Sequence, residues 1–291
     1  MAAVIQIETS TWSEPAPEAV IVIAGKTLET GDLLFLPGLR FAVEPAEARL
    51  FTPAILGSSK NASYDPAEGR LGGTSAAGQD ADTLRRFIHR FSESAASLVA
   101  ALLPAYRGRI ARGRASFRPA EIAGRATTWR KDDTRLHVDS FPATPSGGRR
   151  ILRVFSNVNP EGRARGWRIG DDFDAVAQRF APQLRVPLPG MGHLLALVRV
   201  TKTPRSAYDA LMLQLHDCMK ADDAFQRESP QSQIDLPAGS TWLAFTDQVS
   251  HAATSGQYQL EQTFLVPVEA MVEPDRSPLR ILERLKGRAL A

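Results

Sequence analysis

Short strand-like segments, rich in apolar and β-branched residues and bounded by Gly or Pro, recur along this chain and constrain its fold most strongly. They do not alternate with helices in a regular βαβ rhythm, which argues against a doubly wound parallel sheet. Many short strands with a few helices favour an α+β fold, mainly antiparallel β, built on a barrel or jelly roll with helical support. The predicted strands are 19–24, 33–36, 127–130, 136–139, 150–159, 194–201, 240–246 and 257–266.

Helical periodicity is clear in fewer places. Apolar residues recur at helical spacing over 84–103, after Asp82 as the predicted N-cap. Further helices are predicted at 171–181 and about 206–220, whereas 54–80 is rich in Gly, Ser, Ala and Asn and predicts a long loop. We expect one domain over 1–291, divided into N-terminal strands and loop (1–80), helical support (81–126), a jelly-roll core (127–268) with a helical insert (171–220), and a C-terminal basic helix (269–291).

The composition is that of an ordinary globular protein. Apolar residues make up 43% of the chain and charged residues 23%, which excludes collagen-like, disordered and disulfide-rich classes. The single cysteine, Cys218, excludes an internal disulfide and a Cys-rich metal site. No apolar run approaches the roughly 20 residues that span a bilayer, and Met1 to Trp12 lacks the pattern of a signal peptide. We therefore expect a cytoplasmic protein without a transmembrane span.

Arginines are concentrated in two parts of the chain. Residues 107–168 contain 14 arginines and five acidic residues, although the net charge of the chain is only +3. The tail, 276–288, is basic again. Such regions suit a polyanion such as nucleic acid, an anionic membrane surface or a phosphorylated substrate. The alternative is that most of these arginines simply face water.

The triplet His137-Val138-Asp139 is the strongest candidate for chemistry. Residues i and i+2 of a strand point to the same side, so this imidazole and this carboxylate can bind one metal ion. A second histidine, His251, follows the predicted strand 240–246 and a turn. Two histidines and one carboxylate on facing strands form a facial triad, which leaves three positions open on an iron(II) ion. Two of these positions can take a bidentate 2-oxo acid and the third can take oxygen.

The other histidines carry weaker signals. His89 lies on the long predicted helix among arginines and is expected to be solvated. His193 follows a turn, where a histidine is not usually catalytic. His216 precedes Asp217 and Cys218, but adjacent residues of a helix do not share a face. We therefore predict no metal cluster or nucleophile at this position.

Four segments together resemble the iron(II)/2-oxoglutarate dioxygenases. The resemblance implies a double-stranded β-helix (jelly-roll or cupin-like) core. It also implies that His137, Asp139 and His251 are the metal-binding and catalytic residues, with iron(II) as cofactor and 2-oxoglutarate and O₂ as co-substrates. The four segments are 137–142, 150–159, 237–245 and His251 with Gly256.

One departure from that family concerns the co-substrate. Its members usually bind the distal carboxylate of 2-oxoglutarate with a basic residue about ten positions after the last histidine. Here that region, 259–263, contains no Arg or Lys. Arg153, on an otherwise apolar strand, is the best substitute because a buried arginine needs an anion. Arg150 is the second candidate, and Asn157 and Gln262 are further candidate contacts; either arginine could instead pair with a protein carboxylate.

The segments 31–37, 136–142, 153–160, 208–209 and 249–252 occur in an order that resembles a narrower group over most of the chain. This group is the Kdo 3-hydroxylases of Gram-negative bacteria. The resemblance implies hydroxylation at C3 of Kdo (3-deoxy-D-manno-oct-2-ulosonic acid) in the lipopolysaccharide inner core, giving Ko, succinate and CO₂. The implied partner is Kdo-containing lipid A at the inner membrane surface, reached by a peripheral cytoplasmic enzyme through its arginine clusters and basic C-terminal helix. The candidate substrate-binding residues are Trp129, Arg130, Lys131, Arg149 and Arg165.

Two other functions stay open at this point. The same iron site could hydroxylate a protein residue such as proline or aspartate, although acids or aromatic residues would then be expected around it. A non-enzymatic β-rich protein that binds an anionic glycan would carry the histidines incidentally and would not bind iron. A nucleic-acid repair oxygenase needs an aromatic or apolar pocket for a flipped base, and we expect no nucleic-acid partner. Nothing in the sequence predicts the oligomeric state.

Overall fold

Two β-sheets form the centre of the molecule in this computed structural model, which describes residues 1–188 and 190–291 and all of their side chains except that of Leu195. Within those residues the larger sheet has eight strands and the smaller has three. The strands are β1 (Val4–Gln6), β2 (Leu33–Leu36), β3 (Ala62–Asp65), β4 (Arg70–Gly72), β5 (Ala111–Arg118), β6 (Arg150–Asn157), β7 (Arg165–Ile169), β8 (Ser232–Leu236), β9 (Thr241–Phe245), β10 (His251–Ser255) and β11 (Gln259–Val266).

The sheets have the arrangement of a jelly roll. The larger sheet has the order β1-β2-β9-β6-β11-β5-β3-β4 and the smaller has the order β10-β7-β8. Neighbouring strands are antiparallel except β1 and β2. The predicted fold class, mainly antiparallel β with supporting helices, is therefore confirmed.

Helices cover the sheets on two sides. The longest, α2, buries Phe87, Phe91 and Leu98 against the outer face of the larger sheet, in the main hydrophobic core. Helices α3, α5 and α7 form a second core around Leu136 and Val138. The helices are α1 (Glu18–Glu29), α2 (Gly78–Leu102), α3 (Phe173–Phe180), α4 (Met191–Leu197), α5 (Ala207–Ala221), α6 (Asp223–Glu228) and α7 (Pro278–Lys286). Among these described helices none is long and apolar enough to cross a bilayer.

The central strand β6 shows how the sequence separates core from site. Leu152 and Val154 are fully buried in the main core beneath α2. Since side chains alternate along a strand, Arg153 and Phe155 point to the opposite face. There Phe155 contacts Trp167 and Trp242, from β7 and β9, at centroid distances of 5.1 and 5.3 Å. The space between the two sheets is therefore lined by aromatic rings and an arginine.

Two predicted strands are wrong because they are helical. Residues 19–24 belong to α1, although their β-branched side chains favour a strand locally. Tertiary packing overrides that preference, because Ala24 and Leu28 occupy the main core at helical spacing. Residues 194–201 were expected to form a strand, but α4 extends to Leu197 and is followed by a turn.

Other predicted boundaries are also wrong. Helix α2 begins at Gly78 rather than after Asp82, and the expected 54–80 loop contains strands β3 and β4. Residues 127–130 lead into a short 3₁₀ helix over Trp129–Lys131 instead of a strand. By contrast, α3 and α5 begin as predicted, with Asp172 and Ser206 accepting hydrogen bonds from backbone amides at their N-termini.

Candidate metal centre

Three side chains converge at the centre of the jelly roll: His137, Asp139 and His251. One possible ligand atom from each of them lies within 4.8 Å of the others. The backbones of His137 and His251 form an isolated antiparallel bridge, with both N–H···O=C hydrogen bonds at 2.9 Å. Leu136 and Val138 point into the second core and are fully buried, so alternation along this segment turns the imidazole and the carboxylate inward.

Both imidazoles are held in the orientation that a metal site requires. Nδ1 of His137 lies 2.8 Å from the Arg135 carbonyl oxygen, and Nδ1 of His251 lies 2.8 Å from the Val249 carbonyl oxygen. A carbonyl can only accept, so each Nδ1 carries the proton and each Nε2 keeps its lone pair for a metal. Burial lowers the pKa of both histidines below the usual value, which keeps them neutral at pH 7.

The third member of the triad, Asp139, is ionised. Burial alone would raise its pKa, but the Arg153 guanidinium, with Nη2 at 3.2 Å from Oδ2, and the two histidines lower that pKa below its usual range. Its other oxygen, Oδ1, lies 3.8 Å from Nε2 of His137, a spacing that a shared metal ion can bridge. The donor set of two imidazole nitrogens and one carboxylate suits iron(II).

An ion network extends from Asp139 across the floor of the site. Arg153 also donates to Glu261 on β11 at 2.9 Å, and Glu261 accepts from Arg118 on β5 at 2.6 Å. Glu261 thus joins two arginines on neighbouring strands. Glu261 lies in the 259–263 region, where the sequence analysis expected a basic residue. Instead of a cation, this region supplies a carboxylate that holds Arg118 and Arg153.

Arg165 differs from these arginines because it has no acidic partner among the described residues. It is 1% exposed, and its Nη1 donates to the Gly256 carbonyl at 2.6 Å. Within the described part of the chain no carboxylate lies within 4.0 Å of its guanidinium, and its Nε has no hydrogen-bond partner. Burial lowers the pKa of Arg165 to about 9, so it remains a cation at neutral pH. A buried, protonated guanidinium in this state fits an anionic ligand.

The position of Arg165 relates it to the triad. It shares a face of β7 with Trp167, whose ring stacks on His251 at a centroid distance of 5.2 Å and an interplanar angle of 21°. Two residues along a strand span about 6.6 Å, so Arg165 and Trp167 lie about that far apart on the strand that packs against His251.

A cavity of about 800 Å³ opens beside this network. Arg153, Glu261 and Arg118 lie among its lining residues, and further cations and small residues line the rest. Phe141, which follows Asp139 closely in sequence, is also in its wall. The other lining residues are Ser59, Asn61, Ser63, Gly72, Gly73, Gly113, Arg114, Ala115, Ser116, Thr144, Pro145, Arg149, Lys202, Thr203, Thr263 and Leu265.

Arg150, predicted as the second co-substrate candidate, lies on the opposite side of β6 from Arg153. It is fully buried and pairs with Asp247, with Nε 2.7 Å from Oδ2. Its Nη2 donates to Gln248, and its guanidinium lies 3.9 Å from the centroid of the Phe245 ring. The structure therefore gives this arginine a carboxylate partner of its own.

The two predicted amide contacts make hydrogen bonds within the protein. Asn157 stands at the end of β6 and donates to the carbonyls of Arg163 and Leu236. Gln262 is fully buried and donates to the carbonyls of Gly113 and Thr263. By alternation it points away from the face of β11 that carries Glu261.

The predicted substrate-binding residues are dispersed. Arg149 lines the cavity, and Arg165 lies buried between the sheets. Trp129, Arg130 and Lys131 form the exposed 3₁₀ helix, where Arg130 stacks on Trp129 and pairs with Asp217 at 3.0 Å.

Two α5 residues lie near the triad, of which the sequence analysis set His216 aside and missed Lys220. The ring of His216 contacts that of His137 edge-on at a centroid distance of 5.4 Å. Lys220, one turn later, is 2% exposed and donates to the Arg130 carbonyl at 3.2 Å. The i,i+4 spacing of His216 and Lys220 was the available signal, because residues so spaced share a helix face.

Known proteins resemble this chain over nearly its whole length. A family model described as 3-deoxy-D-manno-oct-2-ulosonic acid (Kdo) hydroxylase matches residues 12–289. The chain is also similar to the Kdo hydroxylase KdoO, a non-heme Fe(II) alphaketoglutarate-dependent dioxygenase. The crystal structure of KdoO with alphaketoglutarate and Fe(III) has a TM-score of 0.96 and 44% sequence identity, covering 99% of this chain and 97% of that chain. KdoO with cobalt(II) gives 45% identity and the same TM-score and coverage. No curated protein matches the chain.

Proposed function

The chain belongs to the Kdo hydroxylase family, and from this premise we propose that it hydroxylates C3 of Kdo in Kdo-containing lipid A. The reaction consumes 2-oxoglutarate and O₂ and gives the 3-hydroxy sugar Ko, succinate and CO₂. KdoO is a non-heme Fe(II)- and alphaketoglutarate-dependent dioxygenase, and we assign the same cofactor and co-substrates to this enzyme.

The observation that carries the proposal is the buried triad. His137 and His251 each present an unprotonated Nε2, and Oδ1 of Asp139 lies 3.8 Å from Nε2 of His137. Bound iron(II) supplies, with 2-oxoglutarate and O₂, the oxidation that an unactivated C–H bond requires and that amino acid side chains cannot provide. The protein contributes the orientation of the reactants and a site shielded from water.

We assign the distal carboxylate of 2-oxoglutarate to Arg165. Its guanidinium is buried, protonated and without a carboxylate partner among the described residues, and it lies beyond Trp167 on the strand that contacts His251. A bidentate pair with a carboxylate would use the donor that now lacks an acceptor. Arg153, in contrast, holds Asp139 and Glu261 and acts as a positioning residue for the metal ligand.

The substrate sugar is assigned to the 800 Å³ cavity. Kdo carries a carboxylate, and lipid A carries phosphates, so cations are expected around it. Arg149 and Lys202 line this cavity without an acidic partner among the described residues, whereas Arg114 lies 3.7 Å from Asp65. Trp129, Arg130 and Lys131 remain predicted contacts for the more distant parts of the lipid.

The direct test is a product assay with variants. Anaerobically purified protein is incubated with iron(II), 2-oxoglutarate and Kdo₂-lipid A, oxygen is admitted, and the lipid is analysed by mass spectrometry. We expect a gain of one oxygen on Kdo that is lost in His137→Ala and Asp139→Ala. His89→Ala, at an exposed histidine of α2 whose Nδ1 lies 3.1 Å from the Tyr64 hydroxyl oxygen, is the matched control and should retain activity.

The same assay separates the alternatives. Succinate formed without oxidised lipid would support an oxygenase activity but exclude Kdo as the substrate. That result would favour a protein residue as the substrate instead. Neither product nor succinate, together with no iron bound to the purified protein, would leave a non-enzymatic glycan-binding protein.

A further inference from the structure

We propose that residues 185–188 and 190–205, here called the apolar lip, dock on a bilayer that carries anionic headgroups, with the apolar side chains of the lip inserted among the lipids. This proposal depends on the proposed function in one respect only, which is the identity of the lipid that enters the active site. The surface itself is identified from its exposure, its charge and its position.

Exposed apolar side chains are concentrated in the lip. Leu197 is 80% exposed, Leu188 74% and Val198 58%. Large apolar residues scattered singly over a surface need no explanation, but six exposed ones within a single short segment favour an interaction site. The further exposed members of the group are Met191, Leu194 and Val200.

The charge of the lip has one sign. No Asp or Glu occurs between Asp174 and Asp209. The lip contributes four cations, and among the described residues none has a carboxylate within 4.0 Å. These cations are Arg185, Arg199, Lys202 and Arg205. An apolar surface with basic and no acidic residues is typical of segments that bind anionic membrane interfaces.

The lip lies at the mouth of the proposed substrate cavity. Lys202 and Thr203 line this cavity. The Lys202 amide donates to the Ala143 carbonyl at 3.0 Å, and Arg205 donates to the Pro142 carbonyl at 2.6 Å. Both acceptors follow Asp139 within four residues. A bilayer seated on the lip would therefore face the opening through which a lipid-borne sugar enters.

The C-terminal basic helix, which the sequence analysis offered as a membrane contact, is less suited to this role. The apolar side chains of α7, including Leu279, Ile281 and Leu282, are buried in the second core. Its Arg280 pairs with Glu283, and its Lys286 donates to the backbone carbonyls of Ala181 and Leu184, which follow α3. Neither its apolar face nor these cations are available to lipid.

A second copy of the chain is a poorer occupant of the lip than a bilayer. Two identical surfaces meeting around a two-fold axis would bring their cations together. With no acidic residue in the lip, nothing in that segment would offset the repulsion. An anionic headgroup layer offsets all four positive charges, and the apolar side chains can then insert at the boundary between headgroups and acyl chains.

The test is co-sedimentation of the full chain with phosphatidylcholine vesicles and with vesicles containing phosphatidylglycerol. We expect binding to the anionic vesicles that falls with added salt. The double variant Leu197→Ser/Val198→Ser and the double variant Arg185→Gln/Arg199→Gln should each weaken it by roughly 10-fold. The matched control is Val22→Ser/Ile23→Ser, at exposed apolar residues of α1, which should bind like the unaltered chain.

Three results would overturn the proposal. These are no binding to anionic vesicles, equal binding by the lip variants and the control, or a dimer in solution that the lip variants abolish while vesicles stay unbound. Turnover of a lipid-free Kdo glycoside is measured in parallel and should be unchanged in Leu197→Ser/Val198→Ser. If the unaltered chain does not turn over this glycoside, the proposed function is contradicted. The vesicle measurement would still test the membrane proposal independently.

Discussion

The Arg165 guanidinium donates a hydrogen bond to the carbonyl of Gly256 at 2.6 Å, and Gly256 has no side chain to obstruct it. Gly256 has a φ of +99°, and a Cβ there would lie 3.0 Å from the Ala164 carbonyl oxygen and 3.1 Å from Cδ of Arg165. This glycine therefore permits the close approach that holds the guanidinium between the sheets.

We predict that Gly256→Ala raises the KM for 2-oxoglutarate by about 10-fold. The added Cβ would displace the Arg165 guanidinium and so weaken one charged hydrogen bond to the co-substrate. Gly124→Ala is the control, because Gly124 also has a positive φ, +75°, but a Cβ there meets nothing within 4 Å. Both variants should lose about 1 kcal/mol or more of unfolding free energy through backbone strain. Equal KM values in the two variants would contradict the role of Gly256.

Arg165 can be tested directly against its neighbour on the same strand. Arg165→Met should raise the KM for 2-oxoglutarate by at least about 10-fold, because it removes the proposed partner of a carboxylate. Arg168→Met is the control, since Arg168 points to the opposite face of β7 and donates to Gln231 and the Thr134 carbonyl. The same change of KM in both variants, measured by steady-state kinetics, would contradict the assignment of Arg165 to the 2-oxoglutarate site.

The buried pair of Arg150 and Asp247 is predicted to act on stability rather than on co-substrate binding. Asp247→Asn leaves the Arg150 charge buried without its partner and should cost about 3–5 kcal/mol of unfolding free energy. At the half-buried pair of Arg280 and Glu283, whose arginine side chain is 42% exposed, Arg280→Met should cost about 1 kcal/mol at most. Urea titration measures both, and a KM for 2-oxoglutarate that rises in the folded Asp247→Asn enzyme would return Arg150 to the site.

Asp133 is expected to make stability depend on pH. Burial raises its pKa, but Arg118 and Lys60, whose Nζ lies 3.0 Å from Oδ2, outweigh that effect and lower the pKa to about 2 from 3.8. A depressed carboxylate pKa stabilises the folded state above the unfolded value, and the stabilisation disappears as the pH falls from about 4 to about 2.

Asp133→Asn should therefore lose about 2 kcal/mol of unfolding free energy at pH 7, and the difference from the unaltered chain should shrink towards pH 2. Asp82→Asn is the control, because Asp82 is an exposed partner of Arg85 and should show little change. A destabilisation by Asp133→Asn that is the same at pH 7 and pH 2 would contradict this electrostatic role.

Local patterns were sufficient to predict the metal triad. The alternation of Leu136, His137, Val138 and Asp139 separates two core residues from two candidate ligands without knowledge of the partner strand. The alternation in β6 likewise places Arg153 on the site face, as predicted. Such short-range information also predicted α5, whose N-terminal Ser206 accepts from the Asp209 amide.

The anion-binding arrangement could not be predicted in the same way, because it depends on pairing between distant segments. Arg150 and Arg153 are both arginines on one strand, but Asp247, 97 residues away, neutralises Arg150. Glu261, 143 residues from Arg118, balances both Arg118 and Arg153. Arg165 stands apart only once these pairs are known. Similarly, the β-branched run in α1 favours a strand until the main core is seen to require a helix.

The most direct test of the account is to supply ¹⁸O₂ to the enzyme with iron(II), 2-oxoglutarate and Kdo₂-lipid A, and to locate the label by tandem mass spectrometry. Each turnover should place one ¹⁸O atom at C3 of Kdo and one in succinate, with loss of CO₂, and His251→Ala should give neither product. Label in the acyl chains, or an oxidised Kdo that carries oxygen from water, would contradict the proposed reaction.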